Sequence, residues 1–135
     1  MEIDAAFGAI DEEFTAVVPT SRPYKKGLKS SGSRQLIELA FITPDIGIGH
    51  AEKLERLAVK IGWDLGIKPE PNQVAVVEVL EQLIPPAWGM TGRTSFHKGE
   101  RTVRIKCAHA PAMDDPERTA VQERLRQLTG YSLEI

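Results

Sequence analysis

Two runs of basic residues are the strongest chemical signal in the chain. Arg22, Lys25, Lys26, Lys29 and Arg34 follow one another with no intervening acid and enclose Tyr24. Arg93, Lys98, Arg101, Arg104 and Lys106 form a second group in which Glu100 is the one acid. Spaced cations with a ring among them can hold a phosphate backbone and stack a base, the combination single-stranded nucleic acids require. The same charges also suit a solvated loop and the polar face of a half-exposed strand. Between the runs, Gly47-Ile48-Gly49-His50 brings two glycines and a potentially cationic ring together, where backbone N–H groups could approach a phosphate. Other chemistries find little support. No Gly-x-Ser-x-Gly elbow, Walker loop or complete dinucleotide fingerprint is present. His97, Cys107 and His109 lack the paired spacing of structural zinc sites, so no metal, cofactor or catalytic residue is expected.

Composition bounds these possibilities. The chain has 135 residues, 17 Lys and Arg against 19 Asp and Glu, and a net charge of −2, so any polyanion site must be local. The single cysteine, Cys107, excludes an internal disulfide, and no apolar run is long enough for a membrane span. The opening MEIDAAFGAIDEEF is acidic where a secretion signal would be basic and then apolar. Together these features predict a cytoplasmic globular protein without a membrane partner.

The elements that must position the cations repeat. A shift of 68 positions superposes Glu55, Arg56, Leu57, Gly62, Leu65 and Ile67 on the identical residues Glu123, Arg124, Leu125, Gly130, Leu133 and Ile135. Each copy reads as a helix stopped by glycine and followed by a short alternating strand. Upstream, residues 35–42 correspond to residues 102–110, both alternating as strands do, with Ile37 on Ile105 and Leu39 on Cys107. Ile3, Phe7, Ile10 and Phe14 mark an opening helix; Val77, Leu80 and Ile84 repeat its spacing at an offset of 70, in a helix capped by Asn72 and ended by Pro85-Pro86. Residues 88–96 read as a strand joined by a turn at 97–100 to the next. Each half therefore runs helix, strand, strand, helix, strand. The expected fold is α+β, two pseudo-repeated αββαβ units over residues 1–68 and 69–135 joined near Lys68-Pro69-Glu70-Pro71. The polar residues 20–34 would form a flexible basic hairpin arm.

The last helix and strand of each half resemble the KH domain. In that family a Gly-x-x-Gly loop precedes a helix with apolar residues at the third and sixth positions after the second glycine, then often Thr-Gly and an alternating strand. Counted from Ala51, Leu54, Leu57, Ile61-Gly62, Leu65 and Ile67 occupy these places; counted from Thr119, Leu125, Thr129-Gly130, Leu133 and Ile135 do, with Gln122 in the first apolar slot. The match covers roughly 20 residues per half, and the element order is close to the type II arrangement, similar to the paired KH domains of transcription elongation factor NusA. Neither half keeps the loop, which reads Ile48-Gly49-His50-Ala51 in one and Pro116-Glu117-Arg118-Thr119 in the other, where Glu117 would repel a phosphate.

The resemblance implies binding of single-stranded nucleic acid, RNA in preference to DNA. The expected site combines Arg22, Tyr24, Lys25, Lys26, Lys29 and Arg34 on the arm, Gly47, Gly49 and His50 in the loop, and Arg93, Lys98, Arg101, Arg104 and Lys106 on the second hairpin. The alternative is a structural adaptor whose KH-like halves have lost their loops and which binds a protein partner through the N-terminal apolar seam of Ile3, Phe7, Ile10 and Phe14.

Overall fold

A computed structural model describes the backbone of all 135 residues and every side chain except that of residue 31. The chain divides into two units, Met1–Pro71 and Asn72–Ile135, each with its own three-stranded sheet. The fold is α+β in two similar halves. Among the described residues no helix is long and apolar enough to cross a membrane.

The first unit contains α1 (Ile3–Glu13), β1 (Lys25–Ser31), β2 (Arg34–Ala40), α2 (Pro44–Ile48), α3 (Ala51–Ile61) and β3 (Leu65–Ile67). β1 and β2 form an antiparallel hairpin in unbroken register from Lys25 opposite Ala40 to Ser31 opposite Arg34. The chain then crosses through the helices and returns as β3, parallel to β2, because a parallel neighbour cannot be reached by a tight turn. Residues 25–34 are thus strand and turn of a regular sheet, and the expected flexible arm is corrected. Only Leu28 is apolar in β1, so its strand period was hidden.

The apolar seam of α1 closes the core of this unit. Ile10 and Phe14 are fully buried with Ile37, Leu39, Phe41, Leu54, Leu57 and Ile61, and Ile3 and Phe7 pack against them. In the folded unit the seam is therefore not a surface for a partner. On α3, Leu54, Leu57 and Ile61 face inward; Val59 lies on the opposite side and is exposed.

The second unit contains α4 (Gln73–Leu83), β4 (Met90–His97), β5 (Thr102–Cys107), α5 (Pro116–Thr129) and β6 (Ser132–Glu134). Its sheet repeats the first: β4 antiparallel to β5, β5 parallel to β6. Ile37 stands opposite Leu65 and Val103 opposite Leu133, so β5 matches β2 at a shift of 66, which corrects the pairing of Ile37 with Ile105 and of Leu39 with Cys107. Val76, Leu80 and Ile84 are buried, each 70 positions after buried Ala6, Ile10 and Phe14. Asn72 caps α4 by accepting the Ala75 N–H at 3.1 Å. Gly62 and Gly130 end α3 and α5 at φ +73° and +77°, left-handed conformations that a side chain disfavours.

Two differences separate the halves from the simple αββαβ reading. Thr43 and Pro44 start an additional helix, α2, in the first unit, where Thr43 Oγ1 accepts the Ile46 N–H. Residues 116–119, read as a loop, are the first turn of α5, opened by Asp115 accepting the Glu117 N–H at 2.9 Å.

Candidate nucleic-acid interface

β-sheet alternation decides where each cation of the first run points. The register puts Lys26 and Leu28 on the face shared with buried Leu39 and Ile37, and Lys25, Gly27 and Lys29 on the opposite face beside Ala40, Glu38 and Leu36. The two sets have different fates. Lys26 Nζ donates to Asp11 of α1 at 2.6 Å and lies 5.8 Å from the centre of the Phe7 ring, binding the strand to the helix. Arg22 donates to the carbonyls of Val17 at 2.7 Å and Thr15 at 2.9 Å, which braces the segment after α1. Arg34 pairs with Asp64 at 2.6 Å, across the sheet. Tyr24 is half-exposed, and its N–H donates to the Ala40 carbonyl.

On the solvent face, Lys29 donates to Glu38 at 2.9 Å, and that hydrogen bond and charge hold its pKa above the ordinary lysine value. Lys25 and Lys68 have no ion-pair partner among the described residues. Together with Gly27 and Ala40 these side chains line a shallow depression of about 280 Å³ around Glu38. Lys68 was not singled out from sequence, because it follows a three-residue strand and carries no motif. Its N–H donates to the Leu39 carbonyl at 2.9 Å, which fixes it at the sheet.

The segment Gly47 to His50 has a different role from the one its glycines suggest. Gly47 is buried inside α2, and a Cβ there would stand 2.7 Å from Phe41 Cδ2 and 3.0 Å from Ile67 Cγ2. It is a packing glycine. Gly49 ends α2 with ordinary helical φ of −60°. The His50 ring stacks on Phe41 at 5.8 Å and meets Phe14 edge-on at 5.2 Å. Its Nε2 lies 3.1 Å from the Ser21 carbonyl, an acceptor only, so that nitrogen carries the proton. The segment expected to hold a phosphate is thus occupied with its own core.

In the second unit Val103 and Ile105 are buried and Arg104 and Lys106 exposed, on opposite faces of β5. Arg104 bonds Glu134 of β6 through Nε and Glu100 at 3.2 Å, and Glu134 holds its guanidinium pKa up. Opposite Ile105, β4 bulges between Thr91 and Ser95, with Gly92 at φ +72°, and the bulge carries exposed Arg93. Arg93 and Lys106 have no ion-pair partner among the described residues. With Ser95, Arg104 and Glu134 they line a depression of about 230 Å³. Lys98 and Arg101 lie in the turn between the strands, with Arg101 at φ +51°. Lys106 is four residues along β5 from that turn, about 13 Å away at strand rise, so the five cations do not make one cluster.

Cys107 is half-buried, and burial pushes its thiol above the ordinary value. Among the described residues no three His, Cys, Asp or Glu side chains converge as metal ligands. No protein-family model matches the chain, and no curated protein is significantly similar to it.

Proposed function

We propose that this chain is a non-catalytic binder of single-stranded nucleic acid, built from two KH-like halves whose solvent-facing sheet surfaces hold the phosphate chain. RNA in preference to DNA follows from the KH resemblance.

One observation carries the reading. In each unit a depression on the sheet face away from the core is lined by three cations and one acidic side chain: Lys25, Lys29 and Lys68 with Glu38, and Arg93, Arg104 and Lys106 with Glu134, while Arg104 also pairs with Glu100 at its side. The whole chain is nevertheless acidic at −2, so the lining of each depression is more positive than the chain as a whole. The ion pairs there are exposed, and such pairs contribute only about 0–1 kcal/mol. A phosphate can therefore take over Lys29 or Arg104 at little cost, while Lys25, Lys68, Arg93 and Lys106 need no displacement. The Gly47 to His50 segment has no part in this reading.

Fluorescence anisotropy of labelled single-stranded RNA tests it. On each unit, a strand held by its two unpaired cations gives a log–log salt slope of about −1.4, at about 0.7 per contact, which is a roughly sevenfold loss of affinity between about 50 and 200 mM salt. Lys25→Glu with Lys68→Glu should abolish binding at the first unit, and Arg93→Glu with Lys106→Glu at the second. Absence of binding, salt-insensitive binding, or variants equal to the wild type would overturn the proposal.

A further inference from the structure

The outer edge of β3 in the first unit is unpaired, and the second unit shows what closing it looks like. Ile37 N–H donates to the Asp64 carbonyl and Lys68 N–H to the Leu39 carbonyl, both at 2.9 Å. With Ile37 opposite Leu65 and Leu39 opposite Ile67, this pattern directs the main-chain groups of Asp64, Gly66 and Lys68 toward β2. The N–H and C=O groups of Leu65 and Ile67 point the other way and have no partner among the described residues. Beside them lies a groove of about 600 Å³ between α3 and β3, lined by Ala51, Leu54, Ala58, Leu65 and Ile67. Ala51, Leu54 and Ala58 fall at i, i+3 and i+7 on α3, so one stripe of the helix walls the groove, and its alanines keep it open.

At the same place in the second unit the shift of 68 puts Leu133 on Leu65, Gln122 on Leu54 and Arg126 on Ala58. Gln122 Nε2 donates to the outward carbonyl of Leu133 at 3.3 Å, and Arg126 bonds the Ser132 hydroxyl at 3.3 Å. Leu133 is 4% exposed, whereas Leu65 is half-buried. One half caps its edge with its own side chains; the other leaves the edge open above an apolar trough.

We propose that the first unit binds an extended peptide that adds as a fourth strand on β3, with apolar residues alternating into the groove and basic residues between them. Main-chain groups at strand spacing call for a partner with the same repeat, which a β-strand supplies. The apolar lining selects the alternate side chains. The rim selects the charge: Arg34 is neutralised by Asp64, and Glu55 stands exposed with no ion-pair partner among the described residues. A polyanion meets repulsion there, and a lysine or arginine meets a carboxylate. The groove adjoins the basic face at Leu36, opposite Lys29, but Lys25, Lys29 and Lys68 do not line it, so the two proposals are tested by different residues.

The test uses the full chain, labelled with nitrogen-15, and the peptide acetyl-Gly-Val-Lys-Val-Lys-Val-Gly-amide. Binding shifts the amide resonances of Leu65 and Ile67. Leu54→Gln, which installs the residue of the second unit, weakens binding tenfold or more, and Gln122→Leu leaves the affinity at the first unit unchanged. Should Leu54→Gln fail to fold, the same peptide N-methylated at alternate amides serves instead: it keeps the side chains, removes the strand donors and loses binding to the wild-type chain. Equal binding of the N-methylated peptide, or shifts confined to other residues, overturns strand addition. A decauridine RNA that moves the Leu65 and Ile67 amides while the peptide leaves them in place overturns the choice of partner and puts the nucleic-acid site in the groove.

Discussion

Gly47→Ala separates a glycine kept for packing from one kept for a ligand. The added Cβ would sit 2.7 Å from Phe41 Cδ2, 3.1 Å from Phe41 Cε2 and 3.0 Å from Ile67 Cγ2. Phe41 is 1% exposed and held between Phe14 and His50, so it has no free space to move into. Overpacking of this kind costs about 1–3 kcal/mol. Replacing glycine inside a helix returns about 1 kcal/mol at most, which leaves a net loss of up to about 2 kcal/mol. For a unit of this size that lowers the melting temperature by up to about 15 °C. Each unit has one tryptophan, Trp63 and Trp88. In a Trp88→Phe background, Trp63 fluorescence reports the first unit alone. Gly8→Ala in α1 is the matched control: its Cβ meets nothing within 4 Å, so the same change should stabilise by about 0.5–1 kcal/mol. Phe41→Val should make Gly47→Ala less costly than it is in the wild type, because valine has no atoms beyond Cγ and so removes those in the way. A Gly47→Ala chain as stable as the wild type but weakened in RNA binding would refute the packing argument and return the glycine to a phosphate site.

Two further outcomes follow from single contacts. Thr129 is fully buried, donates to the Leu125 carbonyl at 2.7 Å and accepts the Tyr131 N–H at 3.1 Å; Thr129→Val removes both of these bonds and should cost about 1–3 kcal/mol, read by urea denaturation followed at Trp88. Lys29 has its pKa raised by Glu38, so the stabilisation from their pair is fully present below the unfolded-state lysine value and is lost as pH rises through the higher folded value. NMR titration of the Lys29 side chain should give a midpoint above about 10.4, moving back toward that value in Glu38→Gln; an unmoved midpoint would show that the pair does not form in solution.

The legible parts of the fold are those whose signals are local. The spacing of Ile10 and Phe14, repeated by Leu80 and Ile84, gave two buried helix faces, and Gly62 and Gly130 marked two helix ends 68 residues apart. Alternation in β5 separated Arg104 and Lys106 from Val103 and Ile105. What was hidden depends on distant residues. Lys26 is neutralised by Asp11, 15 positions away, and Arg34 by Asp64, 30 positions away, so a run that reads as five free cations keeps only Lys25 without a charged or main-chain partner. The short α2 had its Thr43-Pro44 start in plain view, but two glycines within six residues outweighed it, and the close approach to Phe41 that requires Gly47 is a tertiary contact.

The repeat itself supplies an argument that neither half could supply alone. On the solvent face, Glu38 of β2 stands opposite Gly66 and Arg104 of β5 opposite Glu134, so Glu38 corresponds to Arg104, an acid against a base, and Gly66 of β3 to Glu134 of β6. The carboxylate has moved from the central strand to the edge strand, and the cations have been redistributed around it. The lining of three cations and one acidic side chain is the same in both depressions. A surface whose charge persists while its residues exchange places is suited to a ligand recognised by charge, such as a phosphate chain, more than to one recognised by a fixed set of hydrogen bonds. At the sheet edge the opposite holds: Leu54 against Gln122 changes whether a main-chain carbonyl is available at all. The two halves are therefore alike where binding depends on net charge and unlike where it depends on an open backbone, which makes the first unit the one able to accept a strand.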